Sequence, residues 1–215
     1  MPGLIPLTDA TRRPVQLPLA TLGIIIVNVA VFLLELQNGE TFVTQWSVIP
    51  AELLAGHRPL TLLTAMFMHG SWLHLIGNMI FLWAFGPEIE DAMGAPRFLI
   101  FYALGGQVSM LAQVLAVPHA TVPCLGASGA IAAVMGAFLV TYPTDRIKSL
   151  LFIGIFVKVT FVPAVVLIGF WFVIQLFNVG AVAGVNTGGV AYLAHVGGVL
   201  FGVVTARLFE TSEPE

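Results

Sequence analysis

Ser128 sits in the tetrapeptide Gly126-Ala127-Ser128-Gly129, and His195 in Ala194-His195-Val196-Gly197-Gly198. His74 and Asn78 are spaced i, i+4, which places them on one face of any helix that carries them. A serine hydroxyl is a poor nucleophile until a base takes its proton, and imidazole does so near neutral pH. Attack on a carbonyl creates an oxyanion that preorganised N–H donors stabilise. The Asn78 amide, a His74 ring N–H and the Ser128 backbone N–H at a helix start are such donors. The chemistry these types support is acyl transfer. No acidic third member accompanies them: the aspartates are Asp9, Asp91 and Asp145, and Glu35 lies at the outer end of the first apolar run. The pair is therefore expected to work as a Ser128–His195 dyad, since a buried carboxylate in lipid is expensive.

The elements that must position these residues are apolar helices. Of 215 residues, 58% are hydrophobic and 9% charged, with a mean hydropathy of +0.98. Soluble domains carry roughly 25% charged residues, so the bilayer is the expected solvent. A span needs about 20 mostly apolar residues. That length predicts spans at 17–36, within 61–85, and at 98–117, 125–142, 161–177 and 190–206. The fold class expected is all-α, a polytopic six-helix membrane bundle, because no alternating pattern recurs as a barrel needs. Lys158 and Pro163 interrupt the run 150–177, so 150–157 reads as an interfacial or re-entrant piece. Residues 37–60 form a long first loop, 86–97 a short charged loop, and 178–189 a glycine-rich flexible loop. The domain division is 1–16 as a cytoplasmic N-terminal segment, 17–209 as the helical domain, and 210–215 as a short acidic tail. The apolar run after Arg12-Arg13 reads as a retained first span rather than a cleaved signal peptide.

Charge counts set the orientation. Arg12, Arg13, Arg97, Arg146, Lys148 and Arg207 fall on one side of six spans, and Arg58 on the other. The positive-inside rule then places both termini in the cytoplasm. Spans two, four and six enter from the opposite face. His195 and Ser128 each lie a few residues into their spans, roughly 5–8 Å below that surface. Small residues supply close approach: Gly198 and Gly202 on span six, and Gly129, Ala133 and Gly136 on span four.

Each feature alone has a plainer reading. A serine in a glycine-rich helix start is usually a cap or a packing residue, and a lone intramembrane histidine or asparagine is usually a hydrogen-bonding group. Cys124, the single cysteine, reads as a small buried group and admits no intramolecular disulfide. The joint placement of the clusters in the even spans at one depth is what favours a site.

At these motifs the chain resembles a rhomboid intramembrane serine protease. His69-Gly-Ser-Trp-Leu-His74-Leu-Ile-Gly-Asn78 resembles the family's H-x-x-x-N signature with an additional upstream histidine. Gly126-Ala-Ser128-Gly129 resembles its G-x-S-G serine motif, and Ala194-His195-x-x-Gly198-x-x-x-Gly202 its A-H-x-x-G-x-x-x-G motif. The segment ending span two, Trp83 to Glu90, is also similar. The resemblance implies Ser128 as nucleophile and His195 as general base. Asn78, His74 and the Ser128 backbone N–H would form the oxyanion hole, and Gly198 and Gly202 would hold spans four and six together. It implies no cofactor or metal, transmembrane-helix substrates, and lateral access flanked by the first loop and span five. A multi-pass location in a prokaryotic cytoplasmic membrane is expected. Ala132 stands where some members have an aromatic residue stacked on the catalytic histidine, so another side chain must orient His195. The first loop also lacks a Trp-Arg pair found in some relatives.

Two other functions compete. A non-catalytic rhomboid-like binder of transmembrane helices has no need of an intact Ser128 and His195. A small transporter using the polar cluster as its path would need intramembrane carboxylates for proton coupling. Other intramembrane proteases fail on chemistry, since there is no H-E-x-x-H and no membrane Asp pair. No basic block suggests nucleic-acid binding.

Overall fold

A computed structural model describes residues 3–181 and 191–211. In chain order these form β1 (Gly3–Asp9), α1 (Leu19–Trp46), α2 (Pro50–Leu54) and α3 (Thr61–Thr64), the last running into a 3-10 turn at Ala65–Phe67. There follow α4 (Trp72–Met93), α5 (Ala95–Ala116), α6 (Ser128–Thr141), β2 (Arg146–Ile153), β3 (Phe156–Pro163), α7 (Ala164–Ala181) and α8 (Tyr192–Phe209). The helices α1, α4, α5, α6, α7 and α8 occupy the places of the six expected spans, and the fold is a helical membrane bundle. Residues 182–190, most of the expected glycine-rich loop and the first residue of span six, lie outside the described residues, as do tail residues 212–215.

By length and apolarity α1, α5 and α8 can each cross a membrane. Their outward residues are apolar: Ile26, Val29 and Leu33 on α1, and Leu200 and Val204 on α8, are exposed. In a bilayer this is the lipid face. By contrast, α6 has 14 residues, roughly 21 Å at the helical rise, against a hydrocarbon core of roughly 30 Å. Its first residue is Ser128, so the chain must reach that depth without a helix. Irregular backbone survives there only if its polar groups are satisfied by protein. Val48 and Cys124 exchange backbone hydrogen bonds at 3.0 and 2.7 Å, and the Gly126 N–H donates to the Ala65 carbonyl at 2.8 Å.

Contact between α6 and α8 is backbone to backbone. A Cβ on Gly198 would meet the carbonyl oxygen of Gly129, one on Gly202 that of Ala133, and one on Gly136 that of Val199. Nearly all of α6 is buried, from Gly129 to Phe138. It is the central helix, and α4, α5 and α8 pack round it.

Three boundaries differ from expectation. First, α1 runs past Leu36 to Trp46, across a break at Gly39 (φ 72°). Its last turns are polar and so carry no spanning signal, yet a helix leaving the membrane needs none. Second, α4 runs through Pro87 to Met93, so much of the expected charged loop is helix. Buried Glu90 explains it: its carboxylate accepts the Ala20 and Thr21 N–H groups at 2.8 and 2.7 Å. This caps α1, whose N-cap residue Pro18 offers no side-chain acceptor.

Third, the expected interfacial piece at 150–157 is part of a β-hairpin, and α7 starts only at Ala164. The strands β1, β2 and β3 form one antiparallel sheet in that order. Val157, Val159 and Phe161 alternate with Lys158 and Thr160, the period of a strand. Ile153 pairs with Phe156 across a two-residue turn whose Gly154 has φ +61°, as tight hairpin turns require. The sheet recruits residues 3–9 of the expected N-terminal segment.

The sheet lies on the charged side of the bundle. The Arg12 guanidinium bonds Asp145 at 2.5 Å and stacks 3.8 Å over the Tyr142 ring. Asp91 accepts from the Val15 and Gln16 N–H groups, and Arg97 donates to the Glu210 carbonyl at 2.9 Å. The N-terminal segment, the second and fourth connections and the end of α8 thus meet on one face. Burial raises the Asp9 carboxyl above its ordinary range there, opposed by N–H groups of Thr11 and Arg12.

Gly202→Val should force α6 and α8 apart and destabilise the bundle by about 1–3 kcal/mol. Gly23→Ala, which meets nothing within 4 Å, should stay within about 0.5 kcal/mol. Thermal unfolding in detergent compares the two.

Candidate active site

Helices α6 and α8 each contribute a first turn. Ser128 opens α6 and His195 lies in the first turn of α8. The glycine contacts below them bring His195 Nε2 within 2.8 Å of Ser128 Oγ. His195 is buried, whereas Ser128 keeps some exposure. The N–H groups in the first turn of α6 have no intrahelical acceptor, and Ser128 supplies the first of them.

The other nitrogen of His195 settles which proton it carries. Nδ1 lies 2.8 Å from the Gln175 side-chain oxygen Oε1, on α7. The amide nitrogen of Gln175 donates to the Trp171 carbonyl at 3.4 Å. A flipped amide would set Oε1 against that carbonyl, two acceptors face to face. Oε1 therefore faces the imidazole and accepts from Nδ1–H, which leaves the Nε2 lone pair for the Ser128 hydroxyl proton. The Trp171 ring packs on the imidazole with centroids 5.3 Å apart. Ala132, where an aromatic might have stood, instead packs against Gly198.

His74 and Asn78 stand on α4, beside the start of α6. Gly126 has φ +125°, and a Cβ there would lie 2.8–2.9 Å from the His74 ring and 3.8 Å from Ser128 Oγ. Only glycine lets that imidazole sit over the serine loop. Asn78 is held by His69. Its Nδ2 lies 2.9 Å from His69 Nε2, and His69 Nδ1 lies 3.3 Å from the Phe67 carbonyl. Nδ1 must donate to a carbonyl, so Nε2 accepts and Asn78 donates, keeping its second N–H free. His69 is fixed in turn by Glu35, whose carboxylate accepts the His69 backbone N–H at 2.9 and 3.2 Å. Among the described residues no three His, Cys, Asp or Glu side chains are placed to hold a metal ion.

The structure thus brings His195 and His74 to Ser128 and holds Asn78 on His69, whose ring lies 5.0 Å from that of His74, with Gly129, Gly198 and Gly202 in the contacts beneath. Gly129 also faces α5, since a Cβ on it would strike Ser109. Sequence reasoning missed the support. Gln175 is a lone polar residue in the apolar run 161–177, and that is the signal that marks it. Glu35 stands far along the chain from Ser128 and His195, and His69 is an extra histidine upstream of the His74–Asn78 motif. Cys124 stays outside the cluster, its backbone paired with Val48.

A family model described as Rhomboid domain matches residues 56–211. The chain belongs to the rhomboid family. It is 31% identical over 206 residues to the mitochondrial rhomboid protein 1 of Saccharomyces cerevisiae, covering 93% of this chain and 55% of that protein. It is 30% identical to the rhomboid protease GluP of Bacillus subtilis over 178 residues, 81% of this chain and 31% of that one. The human mitochondrial presenilin-associated rhomboid-like protein is 31% identical over 187 residues, 84% and 46% of the two chains. The chain spans about a third to just over half of the length of these relatives. Family membership carries a multi-pass integral membrane protein. The expected prokaryotic cytoplasmic membrane gains no support, because two of these three relatives are named as mitochondrial.

A fluorophosphonate should label this rhomboid at Ser128 and spare Ser109, which is fully buried and donates to the Ala194 carbonyl at 2.5 Å. His195→Ala should slow labelling by about a hundredfold or more. Mass spectrometry of the labelled peptide reads both.

Proposed function

We propose that this rhomboid is an intramembrane serine endopeptidase that cleaves transmembrane helices of membrane-protein substrates through the Ser128–His195 dyad. The observation that carries the reading is the 2.8 Å contact from His195 Nε2 to Ser128 Oγ, with Nδ1 engaged elsewhere. Ser128 Oγ attacks the scissile carbonyl as its proton passes to Nε2. The tetrahedral oxyanion is met by the free Asn78 N–H, a His74 ring N–H and the Ser128 backbone N–H. His195 then returns the proton to the leaving amine, and the C–N bond breaks. Water, deprotonated by the same nitrogen, hydrolyses the acyl-enzyme. No carboxylate takes part.

The site opens on the face opposite the charged termini. With those termini in the cytoplasm, cleavage falls near the non-cytoplasmic surface. A helical peptide bond is shielded by its own hydrogen bonds, so substrates with small or helix-destabilising residues near that face are favoured. The first loop and α7 flank lateral access from the bilayer.

Purified protein in liposomes should cut a model single-span substrate, and Ser128→Ala and His195→Ala should not. Cleavage by all three proteins, or by none across several lipid compositions, would sink the protease reading and leave a binder of transmembrane helices. Asn78→Ala should lower turnover roughly a hundredfold without abolishing it, because two donors remain. An unchanged rate removes Asn78 from the site.

A further inference from the structure

The geometry points to Gln175 as the positioning residue for His195, which makes α7 part of the catalytic site rather than only a wall beside it. This rests on the protease reading. The first observation is the burial pattern of α7. From Gly169 to Val179 the one buried side chain is Gln175, while Phe170, Val173, Ile174, Leu176 and Phe177 are exposed. A lipid-facing stretch that buries a single residue would be expected to bury an apolar one, since a polar group there must find partners. Gln175 finds two: the Trp171 carbonyl of its own helix and the His195 ring.

The second observation is the direction of the amide. An amide beside a catalytic imidazole is harmful if it presents its N–H, because the histidine then takes the wrong tautomer. Here the Nε2–H of Gln175 is engaged one helical turn back, at Trp171, and the oxygen is turned to Nδ1–H. A neutral acceptor thus performs the orienting task that a carboxylate performs in a triad, without placing a charge at this depth. Trp171, four residues earlier on the same face, adds its ring against the imidazole and occupies the role left open by Ala132.

A consequence follows from the topology. The dyad residues stand on α6 and α8, which are locked by backbone contact, whereas their orienting residue stands on α7. Moving the outer half of α7 away removes the acceptor from Nδ1. The seat of α7 and the orientation of the base are therefore one equilibrium, and each must stabilise the other.

The test uses the full chain in liposomes with Gln175→Leu, Gln175→Met and Gln175→Glu. The readouts are kcat and KM on the single-span substrate, fluorophosphonate labelling of Ser128, the rate–pH profile and thermal unfolding. Gln175→Leu and Gln175→Met should lose about 10- to 100-fold in kcat and in labelling rate, with KM within about twofold. Gln175→Glu restores an acceptor, so it should recover most of that loss. Its carboxylate favours the imidazolium, so the acidic limb of the profile should move to higher pH. Hydrogen exchange over 170–179 should rise in His195→Ala. Wild-type kcat in both apolar variants overturns the inference, as does a Glu variant as slow as Leu, or α7 exchange that His195→Ala leaves unchanged. If Leu unfolds, Met and Glu decide. Cleavage by Ser128→Ala would instead defeat the protease reading, so the two failures are distinct.

Discussion

The backbone contact between α6 and α8 is the constraint on which the rest depends. Without side chains at Gly136, Gly198 and Gly202, carbonyl oxygens of one helix meet the other helix directly. Lipid tails are as apolar as leucine, so burial gives two helices little reason to associate in a bilayer. Close packing supplies it, and small residues permit it. The same approach brings the first turns of the two helices to 2.8 Å between Ser128 and His195. A bulky residue in this seam would disrupt stability and geometry at once.

The second constraint is depth. A 14-residue α6 leaves Ser128 below the surface, at the end of a non-helical segment. That segment is stabilised by the Val48–Cys124 pairing and by Ala65, so the long first connection serves as its floor. The outer end of the first apolar run, still within α1, brings Glu35 to the His69 backbone, and His69 fixes the Asn78 amide. A chain of satisfied polar groups thus runs from the first helix to the proposed oxyanion donors. Preorganisation of this kind matters most where water is scarce, since an unpaired polar group there is expensive and a paired one is rigid.

The charged face works by the same rule with different partners. Glu90 caps α1, Asp145 pairs with Arg12, and Asp91 caps the approach to the first helix. These contacts close the side of the bundle away from Ser128 and His195, and the sheet lies across it. The division of labour is physical: one face is tied by charge and strand pairing, and the other carries Ser128 and His195.

Much of this was legible in residue order. Apolar runs of spanning length predicted six helices because a bilayer demands about 20 such residues whatever their neighbours. Ser128, His195, His74 and Asn78 could be picked out because polar groups are few in those runs. The hairpin was hidden among apolar residues that suit a strand or a span equally, and the alternation about Lys158 is short. The helical reach of α1 and α4 beyond the membrane was hidden because hydrophobicity marks the lipid, not the helix. What holds His195 could be read only as a lone polar residue in an apolar run, since Gln175 is 20 residues away along the chain and joined to it only by how α7 packs. Residue types and spacing decide which chemistry is available. Which amide faces which nitrogen depends on contacts between distant helices, and only the packed bundle makes them.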